Sequence, residues 1–155
     1  MRLGRRLAID VGTVRVGLAI SDAHGILASP LQNLKRSDDL SADVAALSHL
    51  LADYELLEIY VGLPVAMSGH TTKSTKDAVA FARAVSAYRS EPVRLIDERL
   101  TSVSANAILR NAGHDGKRSR QVVDQVAATL ILEQAMNQEK SSGTPPGVSL
   151  DDYSD

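Results

Sequence analysis

RLAIDVG at residues 6–12 and VRVGLAIS at 14–21 decide how this chain folds. Both are apolar runs rich in Val and Ile, and only Thr13 separates them, so they predict two adjacent antiparallel strands. Asp10 interrupts the first run. A carboxylate among Leu7, Ala8, Ile9 and Val11 is costly unless a metal ion, hydrogen bonds or a cation compensates it. Gly12 follows directly, so the plain alternative is an acid at a strand-end turn.

Working outward, a third short strand is expected around Gly25–Asn33. Ser37 and Asp38 can cap a helix in which Leu40, Val44, Leu47 and Leu51 recur at three- and four-residue steps, ending near Tyr54. LEIYVG at 57–62 reads as a buried strand stopped by Pro64, which has no N–H for the ladder. Helical periodicity resumes near Thr75, with Val79, Ala82 and Val85 on one side, and Pro92 closes that unit before a strand VRLI at 93–96. Thr101–Asn111 suggests a short helix, broken by Gly113 and Gly116, and Ser119 opens a longer one to about Gln138. Early antiparallel strands followed by strand–helix crossovers imply an α/β fold with a mixed five-stranded sheet flanked by helices.

A chain of 155 residues fits one domain with one core. Residues 1–138 are expected to form it. The remainder, 139–155, combines Ser, Gly and Pro with few apolar side chains to offset ordering, and is expected to be a flexible acidic tail. It holds one Lys and four acids, so the formal charge of -2 becomes +1 without it. Any hold on nucleic acid must then come from local basic clusters rather than bulk charge. The absence of cysteine removes disulfides, thiol nucleophiles and thiolate metal sites, and is compatible with the cytoplasm. No apolar run is long enough for a membrane span.

Two further acids join Asp10. Asp97 and Glu98 follow VRLI, at the carboxyl end of a second central strand, where ligands of open α/β sheets collect. Only one of two successive strand side chains can enter a given cleft, and alternation alone does not choose between them. Asp124 lies beside the apolar stripe of the last helix, three, four and seven residues before Ala127, Ala128 and Ile131. The alternative is a boundary acid paired with Arg120. Three carboxylates without clustered His would suit a hard ion, Mg2+ or Mn2+, as used in phosphodiester hydrolysis. The histidines His24, His49, His70 and His114 are scattered, which disfavours zinc.

Basic residues accompany each acid. Arg15 follows the Asp10 turn, Arg99 follows Glu98, and Lys117, Arg118 and Arg120 precede Asp124 at a helix amino end, so phosphate contact is at least as reasonable as simple solvation. VGLPVAMSGHTTKS at 61–74 is a loop in which Gly62 and Gly69 permit close backbone approach, Pro64 marks the strand end and Thr71 can cap or bond phosphate. It is not a P-loop. With one Phe, four Tyr and no Trp, base stacking has little support.

As an ordered set, DVGTVRVGLAISD at 10–22, VGLPVAMSG at 61–69, DERLTS at 97–102 and KRSRQVVDQVAATLIL at 117–132 resemble the YqgF/RuvX family. These are Holliday-junction-resolvase-like proteins, also described as nucleases of pre-16S ribosomal RNA. The resemblance implies a ribonuclease-H-like fold, with metal-binding catalytic carboxylates at Asp10, Glu98 and Asp124. It also implies processing of the 5′ end of pre-16S rRNA during ribosome biogenesis, with resolution of branched DNA as the competing activity. Val14 stands where the family often has a basic residue, and Ala66 and Ser68 where its loop often has Asn and Asp. Substrate contacts are touched by these departures, the three acids are not.

Two other classes remain open at this stage. DVGT followed by an antiparallel strand also begins actin-like nucleotide-binding proteins, although 155 residues leave little room for their second half. A non-catalytic RNA-binding ribosome-assembly factor is the other. Branched DNA as substrate would favour a homodimer with two-fold symmetry.

Overall fold

The computed structural model describes residues 1–98 and 116–154, and for residues 116–125 it describes the helical backbone only. Strands β1 (Arg5–Val11) and β2 (Arg15–Ser21) form the expected antiparallel pair, in register at Ala8–Ala19, Ile9–Leu18 and Asp10–Gly17. β3 (Ala28–Pro30) and β4 (Leu34–Lys35) both pair with β2. Helix α1 (Leu40–Leu50) leads to β5 (Leu56–Leu63), α2 (Lys73–Tyr88) and β6 (Val93–Asp97). β5 runs parallel to β1, and β6 parallel to β5. Helix α3 (Gly116–Ser142) is followed by β7 (Val148–Ser149) and a single 3-10 turn, Leu150–Asp152. The short helix expected over Thr101–Asn111 lies outside the described residues.

Among the described residues the sheet therefore has seven strands rather than five, in the order β3-β2-β1-β5-β6-β7 with β4 also on β2. The two additional strands, β4 and β7, are two residues long. An alternation of period two needs more residues than that to leave a mark in sequence.

Strand alternation sorts the side chains into two layers. Leu7, Ile9, Val16, Leu18, Ile59, Val61, Val93 and Leu95 meet α1 and α2. On the opposite face Ala8, Ala19, Tyr60 and Ile96 meet Ala128, Ile131, Leu132, Ala135 and Met136 of α3. The second interface is rich in alanine, which lets α3 lie close on the strands. Helix starts follow local chemistry: Asp39 caps α1 through the Ala42 N–H, while Ser37 instead donates to Asp43. α2 starts before Thr75 because Thr72 and Thr75 form a reciprocal capping box.

The segment 139–155 is expected as a flexible tail, but its described part, 139–154, is packed. Glu139 is 3% exposed and still within α3. Its carboxylate accepts from Arg2 and from the fully buried Arg6. Gly143, at φ +75, ends the helix in the left-handed conformation that glycine tolerates. β7 then pairs with β6 at Arg94–Ser149 and Leu95–Val148, and Leu150 enters the α1/α2 core with Tyr153 packed beside it. Composition misjudged this stretch because an open edge of β6 supplies backbone partners, so one buried Leu and one Tyr are enough to anchor it. The folded unit accordingly extends past residue 138.

Candidate active site

The site forms where three strands end on the α3 face. Asp10 shares that face with Ala8, and its ladder partner Gly17 has no side chain to cover it. Gly62 follows Tyr60 on the same face of β5 and pairs with Ile96 of β6. Glu98 stands two residues beyond Ile96 and so has the same orientation, whereas Asp97, at the alternate position, is exposed. The face assignment thus separates the two neighbouring acids that sequence alternation left equivalent.

Glu98 is 8% exposed, and its Oε2 finds no hydrogen-bond partner among the described residues. Burial, then the charges of Asp10 and Asp97, push its carboxyl up to about 8. A buried carboxylate that lacks a donor and faces another acid is costly to ionise unless a cation is supplied. The donor set, carboxylate oxygens alone, is that of a hard divalent ion. Among the described residues no group of three His, Asp or Glu side chains is assembled that could hold a metal. Asp10 and Glu98 provide two.

The backbone at Asp124 belongs to α3, while its side chain lies outside the described residues. The course of the helix is defined by two later residues. Glu139 reaches Arg2 and Arg6 at the amino end of β1, and Ile131 packs at Gly62 near the carboxyl end of β5. α3 therefore runs antiparallel to these strands. Residue 124, seven positions before Ile131, is about 10 Å further along the axis toward the strands' carboxyl ends.

Arg15 lies on the α3 face by alternation with Gly17 and Ala19. The side chains of Arg99, Lys117, Arg118 and Arg120 lie outside the described residues. Gly62 is part of β5 rather than of the loop after it, and the loop itself is well bonded. Gly69, at φ +89, donates to the Ala66 carbonyl at 2.7 Å, and Thr75 donates its hydroxyl to the Pro64 carbonyl. Thr71 is exposed and lines a groove with Lys76, Arg83 and Tyr153 on the α2 side.

One residue that patterning missed supports the turn behind Asp10. Arg36 donates to the Gly12 carbonyl at 3.0 Å and to Asp77 of α2 at 2.6 Å. No local signal marks it, because its partners are 24 and 41 residues away.

A mixed sheet with α3 across one face is the fold of RuvC-type, ribonuclease-H-like proteins. The structure of Thermus thermophilus RuvC in complex with a Holliday junction substrate superposes with a TM-score of 0.57 at 16% identity, covering 92% of this chain and 99% of that one. A second Thermus thermophilus RuvC structure gives a TM-score of 0.54 over 92% and 98% of the two chains. The chain belongs to the RuvX family, described as Holliday junction resolvase, whose pattern matches residues 4–138. A Leifsonia xyli protein named "Putative pre-16S rRNA nuclease" is 52% identical over 147 residues, covering 95% of this chain and 94% of that protein. A Streptomyces coelicolor protein of the same name is 41% identical over 97% and 90% of the two. No helix among the described residues is long and apolar enough to cross a membrane.

Proposed function

We propose that this chain is a divalent-metal-dependent endonuclease that hydrolyses phosphodiester bonds in the 5′ leader of pre-16S rRNA. The observation that carries the reading is Glu98, a buried carboxylate beside Asp10 with an oxygen that has no partner among the described residues, at the strand ends of a chain with nuclease relatives. Asp10, Glu98 and Asp124 would hold Mg2+ or Mn2+. When bound, such ions activate the attacking water and stabilise the leaving oxygen. The protein's own part is to fix two carboxylates on a rigid sheet edge, keep Glu98 out of bulk water, and bring the α3 backbone over the same edge.

Arg15, Arg99, Lys117, Arg118 and Arg120 are the proposed phosphate contacts. They position the strand and leave sequence choice to other features. Gly62 leaves room for the Glu98 carboxylate, and the loop with Pro64 and Gly69 borders the approach from β5, while Thr71 at its end faces the α2 groove.

Branched DNA is the second reading, favoured by the likeness to a RuvC bound to a Holliday junction. A homodimer would accompany that activity, because a four-way junction presents two related cleavage points. The deciding experiment incubates the purified protein with a pre-16S 5′-leader RNA and with a four-way DNA junction, in Mg2+ or Mn2+, and maps product ends. Cleavage of the leader at a defined position with an intact junction supports the first reading. Symmetric nicking of the junction alone moves the assignment to the second.

A further inference from the structure

Lys35 of β4 is an exposed side chain at the edge of the sheet. Its backbone pairs with Arg15 in the β2–β4 ladder, next to the pair Val16–Leu34. Val16 and Leu34 both point into the α1/α2 core, so Arg15 and Lys35 rise together on the opposite, α3 face. This is also the face of Asp10. Directly opposed side chains on neighbouring antiparallel strands have Cβ atoms about 4.5–5.5 Å apart, so a single anionic group can reach both.

A phosphodiester is the ligand class that fits this pair, since one anionic group can bridge two cations and accept from both. The neighbouring cation, Arg36, is occupied by Gly12 and Asp77 and packs over the Phe81 ring. Strand spacing sets Lys35 about 10 Å from β1, which carries Asp10. The line from Asp10 across Arg15 to Lys35 therefore leads from the carboxylates outward along the sheet surface.

We infer that Arg15 and Lys35 form a phosphate subsite that holds the substrate strand to one side of the cleaved bond. This rests on the nuclease reading above and extends it by placing the strand's path over β2 and β4, away from the α2 groove.

The test compares wild type, Lys35→Gln and Lys35→Arg, with single-stranded RNA of fixed length as probe. Binding is measured in EDTA over a salt series, and cleavage kinetics in Mg2+. Lys35→Gln is expected to weaken binding about 3–10-fold and to reduce the slope of log K against log salt by about 0.7, the value for one lost phosphate contact on a single strand. Lys35→Arg should restore both. In kinetics the loss should fall mainly on KM. Thermal unfolding of free Lys35→Gln should match wild type, because Lys35 is exposed. Unchanged affinity and slope for Lys35→Gln, with normal cleavage, would overturn the subsite and leave the nuclease reading intact. A slope lowered by Lys35→Gln, with wild type cleaving neither the probe, nor the leader RNA, nor the four-way junction, would keep the subsite and overturn the nuclease reading.

Discussion

The Glu98 carboxylate occupies the space that a side chain at residue 62 would need: a Cβ on Gly62 would come within 2.1 Å of Glu98 Oε2 and 2.6 Å of Ile131 Cδ1. Gly62→Ala must therefore displace the carboxylate, the helix, or both. Destabilisation by about 1–3 kcal/mol is expected, as for other overpacked sites. Cleavage should fall about 100-fold, the scale of a 1 Å misplacement of a reacting group. Urea unfolding together with single-turnover cleavage checks this. Wild-type rates in a fully folded Gly62→Ala protein would mean that the observed Glu98 position is not the working one.

The same carboxyl controls a pH dependence of the metal-free protein. Its folded value is raised to about 8 from the ordinary 4.5, by burial first and then by Asp10 and Asp97. Below the ordinary value both folded and unfolded chains keep the proton. Between the two values the unfolded chain releases it while the folded chain does not, so stability declines as pH rises through this window and levels off above it. Glu98→Gln should remove a decline on the order of a few kcal/mol. The check is urea unfolding in EDTA at intervals from pH 5 to 8.5. Parallel pH profiles for wild type and variant would show that Glu98 ionises freely in the folded state.

The carboxyl-terminal segment is expected to matter for folding. Burial acts to raise the Glu139 carboxyl, but the bonds from Arg2 and the charges of Arg6 and Arg2 outweigh it and hold it at about 2. This depressed value contributes stability above the ordinary carboxylate range, lost as pH falls toward 2. Glu139→Ala leaves Arg6 buried without its carboxylate and should cost about 3–5 kcal/mol. Leu150→Ala, which opens a cavity in the α1/α2 core, should cost about 2–5 kcal/mol. Chemical denaturation of each variant at pH 7 measures both. If a chain ending at residue 138 unfolded at the wild-type midpoint, the packing of 139–154 would contribute nothing to stability.

The sequence made the hairpin, the parallel crossovers and the three acidic segments legible because each rests on runs long enough to show a period. The choice between Asp97 and Glu98 was not legible, for a physical reason. β6 is covered on both faces, with Val93 and Leu95 against α1 and α2 and Ile96 against α3, so apolar residues occupy both parities. Only the three-dimensional layers show which acid continues the Ile96 side. The tail was misread because anchoring by a sheet edge depends on β6, more than 50 residues away, and no local composition reveals it. Arg36 and Lys35 were invisible for the same kind of reason, since Lys35 owes its place to Arg15 across the β2–β4 ladder and Arg36 to Gly12 and to Asp77 of α2, all distant in sequence.

The most direct test of the central claim is metal response in charge-removing variants. Wild type, Asp10→Asn, Glu98→Gln and Asp124→Asn are unfolded thermally in EDTA and in Mg2+ or Mn2+, and assayed for cleavage of the leader RNA at matched salt. The expected result is a metal-induced rise in Tm for wild type, largely lost in all three variants together with at least about 100-fold in cleavage, while their metal-free stability equals or exceeds wild type because mutual repulsion has been relieved. If any one variant keeps both the metal-induced rise and wild-type cleavage, its carboxylate does not belong to a shared metal site, and the account of this chain as a three-carboxylate nuclease is contradicted.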